Sequence, residues 1–85
     1  MELKPTQIEV LKTLAKNKGK RMGVKDIKNT CSVKNVNHIM SAVKFFMEND
    51  LVFQPDYEGK VEISGDGLSI AYNYMQFIVD KEIYL

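Results

Sequence analysis

The sequence predicts a single, mostly helical α+β domain over residues 1–85, and three observations lead to this prediction. Its 85 residues suffice for one core of ordinary size and not for two. The composition, 45% hydrophobic and 27% charged, is typical of a globular chain. Four stretches repeat apolar residues at helical spacing, and two short β-prone runs after residue 50 are separated by turn residues. We therefore expect three helices, a two-stranded hairpin and a C-terminal helix, in that order.

Composition also excludes several classes of protein. The apolar runs are far shorter than the roughly 18 residues of a membrane span, and the N-terminus has no signal-peptide core, so we expect a cytoplasmic protein without membrane contact. Cys31 and His38 are the only cysteine and histidine, which leaves no obvious metal site and predicts no cofactor. An enzyme is not expected, because the sequence pairs no nucleophile with a base and has no glycine-rich phosphate loop.

The charges are divided unevenly along the chain. Residues 1–44 carry ten basic and three acidic residues, a net charge of +7, whereas residues 45–85 carry two basic and eight acidic residues, a net charge of −6. Such an asymmetry indicates one face made for a polyanion and another kept away from it. The alternative interpretation is that the lysines only keep the chain soluble.

Helix one is expected over residues 5–17, because Thr6 and Glu9 match a capping box that satisfies the first free amides. Its inner stripe is apolar and repeats at three- and four-residue steps: Ile8, Leu11, Leu14 and Ala15.

Two further helices follow a polar loop. Gly23 is the expected cap of a short helix over about 24–30, and a third helix runs to about Asn49. Either Ser32 or Asn35 caps the third helix, and the sequence does not decide between them. Helical spacing puts six residues on its inner side: Val36, Ile39, Met40, Val43, Phe46 and Met47. The outer side keeps Lys34, Asn37, His38, Ser41 and Phe45, of which Phe45 is expected to pack against other elements.

The segment after helix three predicts a hairpin. Residues 51–53 and 60–63 are β-prone, and turn residues separate them. Pro55 should lie toward the tip or at an edge, because proline cannot donate a hydrogen bond to the ladder.

Residues 66–80 return to a helical pattern with two apolar stripes, more than one small core can cover. We therefore expect a homodimer through this helix. The polar stripe consists of Ser69, Asn73, Gln76 and Asp80. The first apolar stripe consists of Leu68, Ala71, Tyr72, Met75 and Val79, and the second of Ile70, Tyr74, Phe77 and Ile78. At this spacing we expect the aromatic and methionine residues in the core and the dimer seam rather than in an effector pocket. The sequence does not identify a small-molecule effector.

The residues themselves carry a family resemblance. Residues 24–52 and 61–67 resemble the pattern of helix, helix, G-L-V, wing strand and L-T-x-x-G of the MarR/PadR-like transcription regulators. Ile63 stands for the Leu and Ser64 for the Thr of the last motif, and Asp50 stands where a Gly is usual.

The resemblance covers roughly residues 5–80 and implies a winged helix-turn-helix fold, with a three-helix core, a two- or three-stranded wing and a C-terminal helix. It divides the chain into a helix-turn-helix and wing over 5–65 and a dimerisation helix and tail over 66–85. It also implies that helix three enters the major groove of double-stranded DNA.

The residue types on helix three suit DNA readout. Amide side chains pair bidentately with adenine and lysine donates to guanine, while lysines near the phosphates supply affinity without sequence information. The candidate DNA-binding residues are Lys25, Lys28, Lys34, Asn35, Asn37, His38, Ser41 and Lys44. Because Arg21 is the only arginine, the commonest guanine contact is nearly unavailable and A·T-containing targets are expected. The expected function is a sequence-specific, homodimeric transcriptional regulator.

Two alternatives stay open. The first is that no side chain at the start of helix three reads DNA. Asn35 and Asn37 are then only a cap and a solvated position, and His38 is an ordinary surface histidine. The expected wing is acidic, with Asp56, Glu58 and Glu62 against Lys60, which is unusual for a wing that grips phosphate. Together with the near-neutral total charge, this favours a protein-interaction module of a replication, transcription or viral assembly as the second function.

Overall fold

Four helices form the described part of the chain, which in this computed structural model comprises the backbone of residues 1–83 and the side chains of residues 1–75. They are α1 (Pro5–Lys16), α2 (Val24–Thr30), α3 (Val36–Glu48) and α4 (Gly65–Ile83). Helix α1 packs against the three others, and α2 also packs against α3. The most deeply buried large side chains are Val10, Leu11, Leu14, Ile27, Ile39, Phe46, Leu51 and Val61.

The predicted α+β winged fold with a β-wing is wrong, because the described residues form helices and no strand. Within residues 1–83 the β-type pairing consists of two isolated antiparallel bridges, between Val52 and Ile63 and between Val61 and Met22. The amide and the carbonyl of Val61 are both bonded to Met22, at 2.9 and 2.8 Å. The two β-prone runs are joined by two hydrogen bonds, from the Phe53 amide to Glu62 O at 2.9 Å and from the Ser64 amide to Leu51 O at 3.0 Å. The pairing does not extend into a ladder, because Pro55 has no amide to donate the next hydrogen bond. An irregular connection joins α3 to α4 instead.

The start of α1 differs from the prediction at one turn. The helix begins at Pro5, and the amide of Lys4 donates to Gln7 Oε1 at 2.8 Å. Thr6 and Glu9 therefore do not form the predicted capping box. Proline is favoured at the first helical position, where its missing N–H and fixed φ cost nothing, so the helix starts at Pro5, as the predicted range 5–17 has it, and Lys4 is its N-cap.

Helix α3 ends in a left-handed turn that explains the unusual Asp50. Its φ is +58°, a conformation that favours glycine and that aspartate tolerates better than most residues. The amide of Asp50 donates to Met47 O at 3.4 Å, and the amide of Leu51 donates to Phe46 O at 2.9 Å. This is the hydrogen-bond pattern of a Schellman motif, and the accompanying contact between buried Leu51 and Phe46 fits it.

Ser64 and Gly67 fix the start of α4. Ser64 Oγ accepts from the amide of Gly67 at 3.1 Å and donates to Asp50 O at 2.8 Å, while the Ser64 amide donates to Leu51 O at 3.0 Å. A Cβ at Gly67 would overlap the carbonyl oxygen of Leu51 and come within 2.8 Å of Ile63 Cγ1. The beginning of α4 is thus seated directly on the end of α3.

The core covers described residues from both predicted apolar stripes of α4, more than the sequence led us to expect. Ala71 is fully buried, and residues of both stripes pack against the core: Leu68, Ile70, Tyr74 and Met75. Tyr74 Oη also accepts from the amide of Leu3 at 3.3 Å. Tyr72 is 47% exposed. The predicted positions Gln76, Phe77, Ile78, Val79 and Asp80 and the tail at 84–85 lie outside the described side chains.

Candidate nucleic-acid interface

The eight predicted DNA-binding residues all lie on the surface of α2, α3 and the five residues between them. Each of these side chains is exposed: Lys25, Lys28, Lys34, Asn35, Asn37, His38, Ser41 and Lys44. Helix α2 follows the prediction at 24–30, and the amide of Gly23 is satisfied by Asp26 Oδ2 at 2.9 Å. The structure therefore leaves all eight predicted residues accessible on two helices that pack against each other and on the segment between them.

Asn35 is the cap of α3, which settles the choice between Ser32 and Asn35. Its Oδ1 accepts from the amides of Asn37 at 2.9 Å and His38 at 3.2 Å. Ser32 instead donates through Oγ to Glu9 Oε1 at 3.2 Å. Because both acceptor positions of the Asn35 carbonyl group are used within the helix start, this side chain cannot also pair bidentately with adenine.

Asn37, Ser41 and Lys44 form a row along the outer face of α3, one helical turn apart. Their side-chain polar atoms make no hydrogen bond within the described part of the chain, and the same holds for the His38 ring. The buried side of the helix points the opposite way and carries Ile39, Ala42, Val43 and Phe46. The row consequently presents one amide, one hydroxyl and one ammonium group to solvent.

The lysines give this surface a positive potential. Lys34 Nζ donates to the carbonyl oxygen of Lys28 at 2.6 Å and so caps the end of α2 with a cation, as the helix dipole favours. The ion pairs formed among residues 1–75 involve other parts of the chain, so Lys25, Lys28 and Lys44 have no carboxylate partner there. No acidic residue lies between Asp26 and Glu48 in the sequence. The surface therefore attracts anions.

An open apolar groove runs beside the polar row. It has a volume of about 580 Å³, and its lining consists of Val24, Asn37, Met40, Ser41, Val43, Lys44 and Met47. Val36 and Met40, predicted to lie on the inner side, are 39% and 54% exposed. The prediction was wrong for these two because they lie at the edge of the apolar stripe, about 90° from its buried centre.

The acidic segment between α3 and α4 is a separate turn organised by Asp56. Its Oδ1 accepts from the amides of Glu58 at 2.9 Å and Lys60 at 3.0 Å, and Arg21 Nη1 donates to Oδ2 at 3.4 Å. The hydrogen bond from the Lys60 amide, followed by those from Glu58 and Arg21, lowers the pKa of the Asp56 carboxyl below its ordinary 3.8. This carboxylate therefore holds the turn rather than facing a ligand.

Phe45 packs as predicted. It is half-buried against the core, and its ring lies edge-on to that of Phe46, with centroids 6.2 Å apart. This leaves the outer face of α3 without an aromatic side chain.

Other kinds of site do not form in the described residues. No group of three or more histidine, cysteine, aspartate or glutamate side chains comes together there as metal ligands, and Cys31 is buried. Within the same residues, no helix combines the length and apolarity needed to cross a bilayer.

Comparison with protein-family models, with curated proteins and with solved structures finds no match. The function proposed below rests on the residues of α2 and α3 and on their geometry.

Proposed function

We propose that this chain binds double-stranded DNA as a transcriptional regulator, with the outer face of α3 in the major groove. The observation that carries the proposal is the solvent-facing row of Asn37, Ser41 and Lys44, set in a stretch of chain without acidic residues. The major groove of B-DNA admits an α-helix. In DNA-binding proteins built on two consecutive helices, the N-terminal part of the second helix contacts base edges. The pair α2 and α3 supplies that arrangement.

Each group has a distinct role in this mechanism. Asn37 is the side chain that pairs with adenine, because its amide is not engaged within the described chain whereas that of Asn35 caps the helix. Lys25, Lys28 and Lys44 contact phosphates and fix the orientation of the helix, and each contact releases counterions. A regulator of this kind acts on DNA inside the cell, and we propose a cytoplasmic location for the chain.

A salt titration with lysine variants tests the proposal. Fluorescence anisotropy with a labelled random-sequence duplex gives the slope of log affinity against log salt for wild type and for the double variant Lys28→Ala/Lys44→Ala. Each phosphate contact contributes roughly 0.9 to this slope, so we expect the double variant to lower it by about 1.8.

The matched control is Lys16→Ala/Lys18→Ala, which removes the same charge from exposed positions at the end of α1. Its slope should stay at the wild-type value. Absence of duplex binding at low salt, or equal losses in the two double variants, would contradict the proposal.

The proposed regulator acts as a homodimer through α4. Support comes from the half-exposed Tyr72 and from the apolar sequence pattern that continues beyond residue 75. A dimer presents two copies of α3 to neighbouring major-groove segments. Sedimentation at tens of micromolar tests this point, and a monomer at that concentration would limit the proposal to monomeric binding.

A protein-interaction module is the second candidate, and the apolar groove beside α3 favours it. An exposed patch of this kind commonly marks a protein interface. The variants distinguish the two functions, because a protein complex that survives Lys34→Ala/Asn37→Ala, with no duplex binding by wild type, would support the module.

A further inference from the structure

Two apolar side chains stand exposed within the proposed DNA-binding surface. Val36 is the first residue of α3 and is 39% exposed, and Met40, one turn further on, is 54% exposed. Met40 neighbours Asn37, three residues away, and Val36 neighbours Met40, four residues away, since residues three and four apart lie side by side on a helix. The inner positions of α3 are filled by fully or nearly buried residues, so the core does not need these two side chains.

We propose that Val36 and Met40 contact thymine C5-methyl groups, and that α3 thereby reads A·T pairs through apolar contact next to the amide of Asn37. This inference rests on the proposed function and specifies its substrate class, a duplex with thymines in the contacted major groove. The contact with thymine methyl groups gives the expected preference for A·T pairs a direct physical cause, which the scarcity of arginine does not supply.

The chemistry of the major groove supports this assignment. The C5-methyl of thymine is the apolar group that base edges present there, and aliphatic side chains contact it in known readout. The Met40 side chain is long, unbranched and adaptable, so it can follow a methyl group whose position changes with sequence. Burial of one methyl-sized group corresponds to about a four-fold gain in affinity.

The charges around the patch favour DNA over a protein as its occupant. Lys44 borders the groove together with Asn37 and Ser41, and Lys34 lies just before the start of α3. A stretch without acidic residues extends on both sides of Met40. A purely apolar protein contact would not need this cationic border, whereas a methyl group in the groove is flanked by phosphates.

Thymine and deoxyuridine duplexes test the inference directly, because uracil keeps the hydrogen-bonding edge of thymine and lacks only the methyl group. A duplex is first selected by wild-type protein from a random pool and is then synthesised in both forms. We expect wild type to bind the uracil form about four-fold more weakly for each contacted methyl. Met40→Ala should lower the ratio of thymine to uracil affinity by the share that the Met40 contact supplies, about four-fold for one methyl group.

Two further variants keep the result interpretable. Met40→Gln preserves the length of the side chain and should also lower the thymine preference. Tyr57→Ala removes another exposed large side chain, 96% exposed on the turn between α3 and α4, and should retain it. Circular dichroism confirms that each variant folds.

The outcomes separate the inference from the proposed function. Equal binding of the two duplexes by wild type, or a thymine preference that is undiminished in Met40→Ala, overturns the inference and leaves DNA binding intact. If Met40→Ala leaves duplex binding unchanged but abolishes self-association, the patch belongs to a protein contact and the inference is wrong. Failure of wild type to bind any duplex removes the proposed function and the inference with it.

Discussion

Gly67→Ala is the substitution for which the structure predicts the largest effect from the smallest change. The residue lies in the first turn of α4, and its amide donates to the capping hydroxyl of Ser64. An added methyl group would overlap the carbonyl oxygen of Leu51, which itself accepts the Ser64 amide. Because the obstructing atom belongs to the backbone, it cannot rotate away, and α4 must shift relative to the end of α3.

Two opposing contributions set the change in unfolding free energy of Gly67→Ala. Overpacking of a tightly packed site costs about 1–3 kcal/mol, and a clash with backbone belongs at the upper end of that range. Alanine gains up to about 1 kcal/mol over glycine in a helix. Gly65→Ala has the same helix preference in the same turn, and a Cβ there would meet no atom within 4 Å. The difference between the two variants therefore isolates the clash, at about 3 kcal/mol.

Thermal and urea unfolding followed by far-UV circular dichroism measure this difference. For a domain of this size 1 kcal/mol corresponds to roughly 4–8 °C, so Gly67→Ala should melt on the order of 10–20 °C below Gly65→Ala. Gly65→Ala should melt within a few degrees of wild type. If the two variants have the same free energy of unfolding within about 0.5 kcal/mol, α4 does not begin on the Leu51 carbonyl and the account of the α3–α4 junction is refuted.

Two further predictions concern carboxylate and amide groups with more than one candidate role. Asn35→Ala removes the cap of α3 and should cost about 1 kcal/mol of stability in thermal melts, whereas Asn35→Asp keeps the cap and should melt near wild type while weakening duplex binding through its negative charge. Equal melting losses in both would contradict the assigned cap. Asp56 has a lowered pKa in the folded chain, so its stabilising contribution is complete above about 3.8 and is lost as the pH falls through the lowered pKa. Urea unfolding at pH 7 and at pH 3 measures this contribution. Asp56→Asn should be less stable than wild type at pH 7 and closer to wild type at pH 3. If the difference in unfolding free energy is the same at both pH values, the Asp56 charge does not stabilise the turn.

Local signals in the sequence located the helices well. Helix α2 lies at the predicted residues, and α3 ends within one residue of its predicted end at Asn49. These helices depend on short-range patterns of apolar residues, caps and glycines, which a single sequence displays directly. The exposure of the candidate site residues could be predicted in the same way, because lysine and amide positions outside the apolar stripe of a helix face solvent by its geometry alone.

The errors came from interactions between distant segments. The β-prone runs around Val52 and Val61 carry the expected alternation and meet at the bridge between Val52 and Ile63, but Val61 bonds to Met22, nearly forty residues earlier in the chain. Whether a short run forms a ladder depends on which partner arrives at its edge, and no local pattern encodes that partner. The exposure of Met40 has a similar origin, because the width of the core opposite α3 decides how much of an apolar stripe is covered.

The position of α1 explains why the outer face of α3 is left open. Five residues of α1 are buried, Val10, Leu11, Thr13, Leu14 and Ala15. At 100° per residue their positions span roughly 200° of the helix circumference, about twice the width of a single packed stripe. Helix α1 can therefore receive α3 on one part of its surface and α4 on another. If α1 had only one apolar stripe, α4 would have to pack against another apolar surface. The side of α3 that carries Val36, Met40 and Met47 is such a surface. The breadth of the buried surface on α1, and not any feature of α3 itself, is what keeps the proposed DNA-binding face clear of the described part of α4.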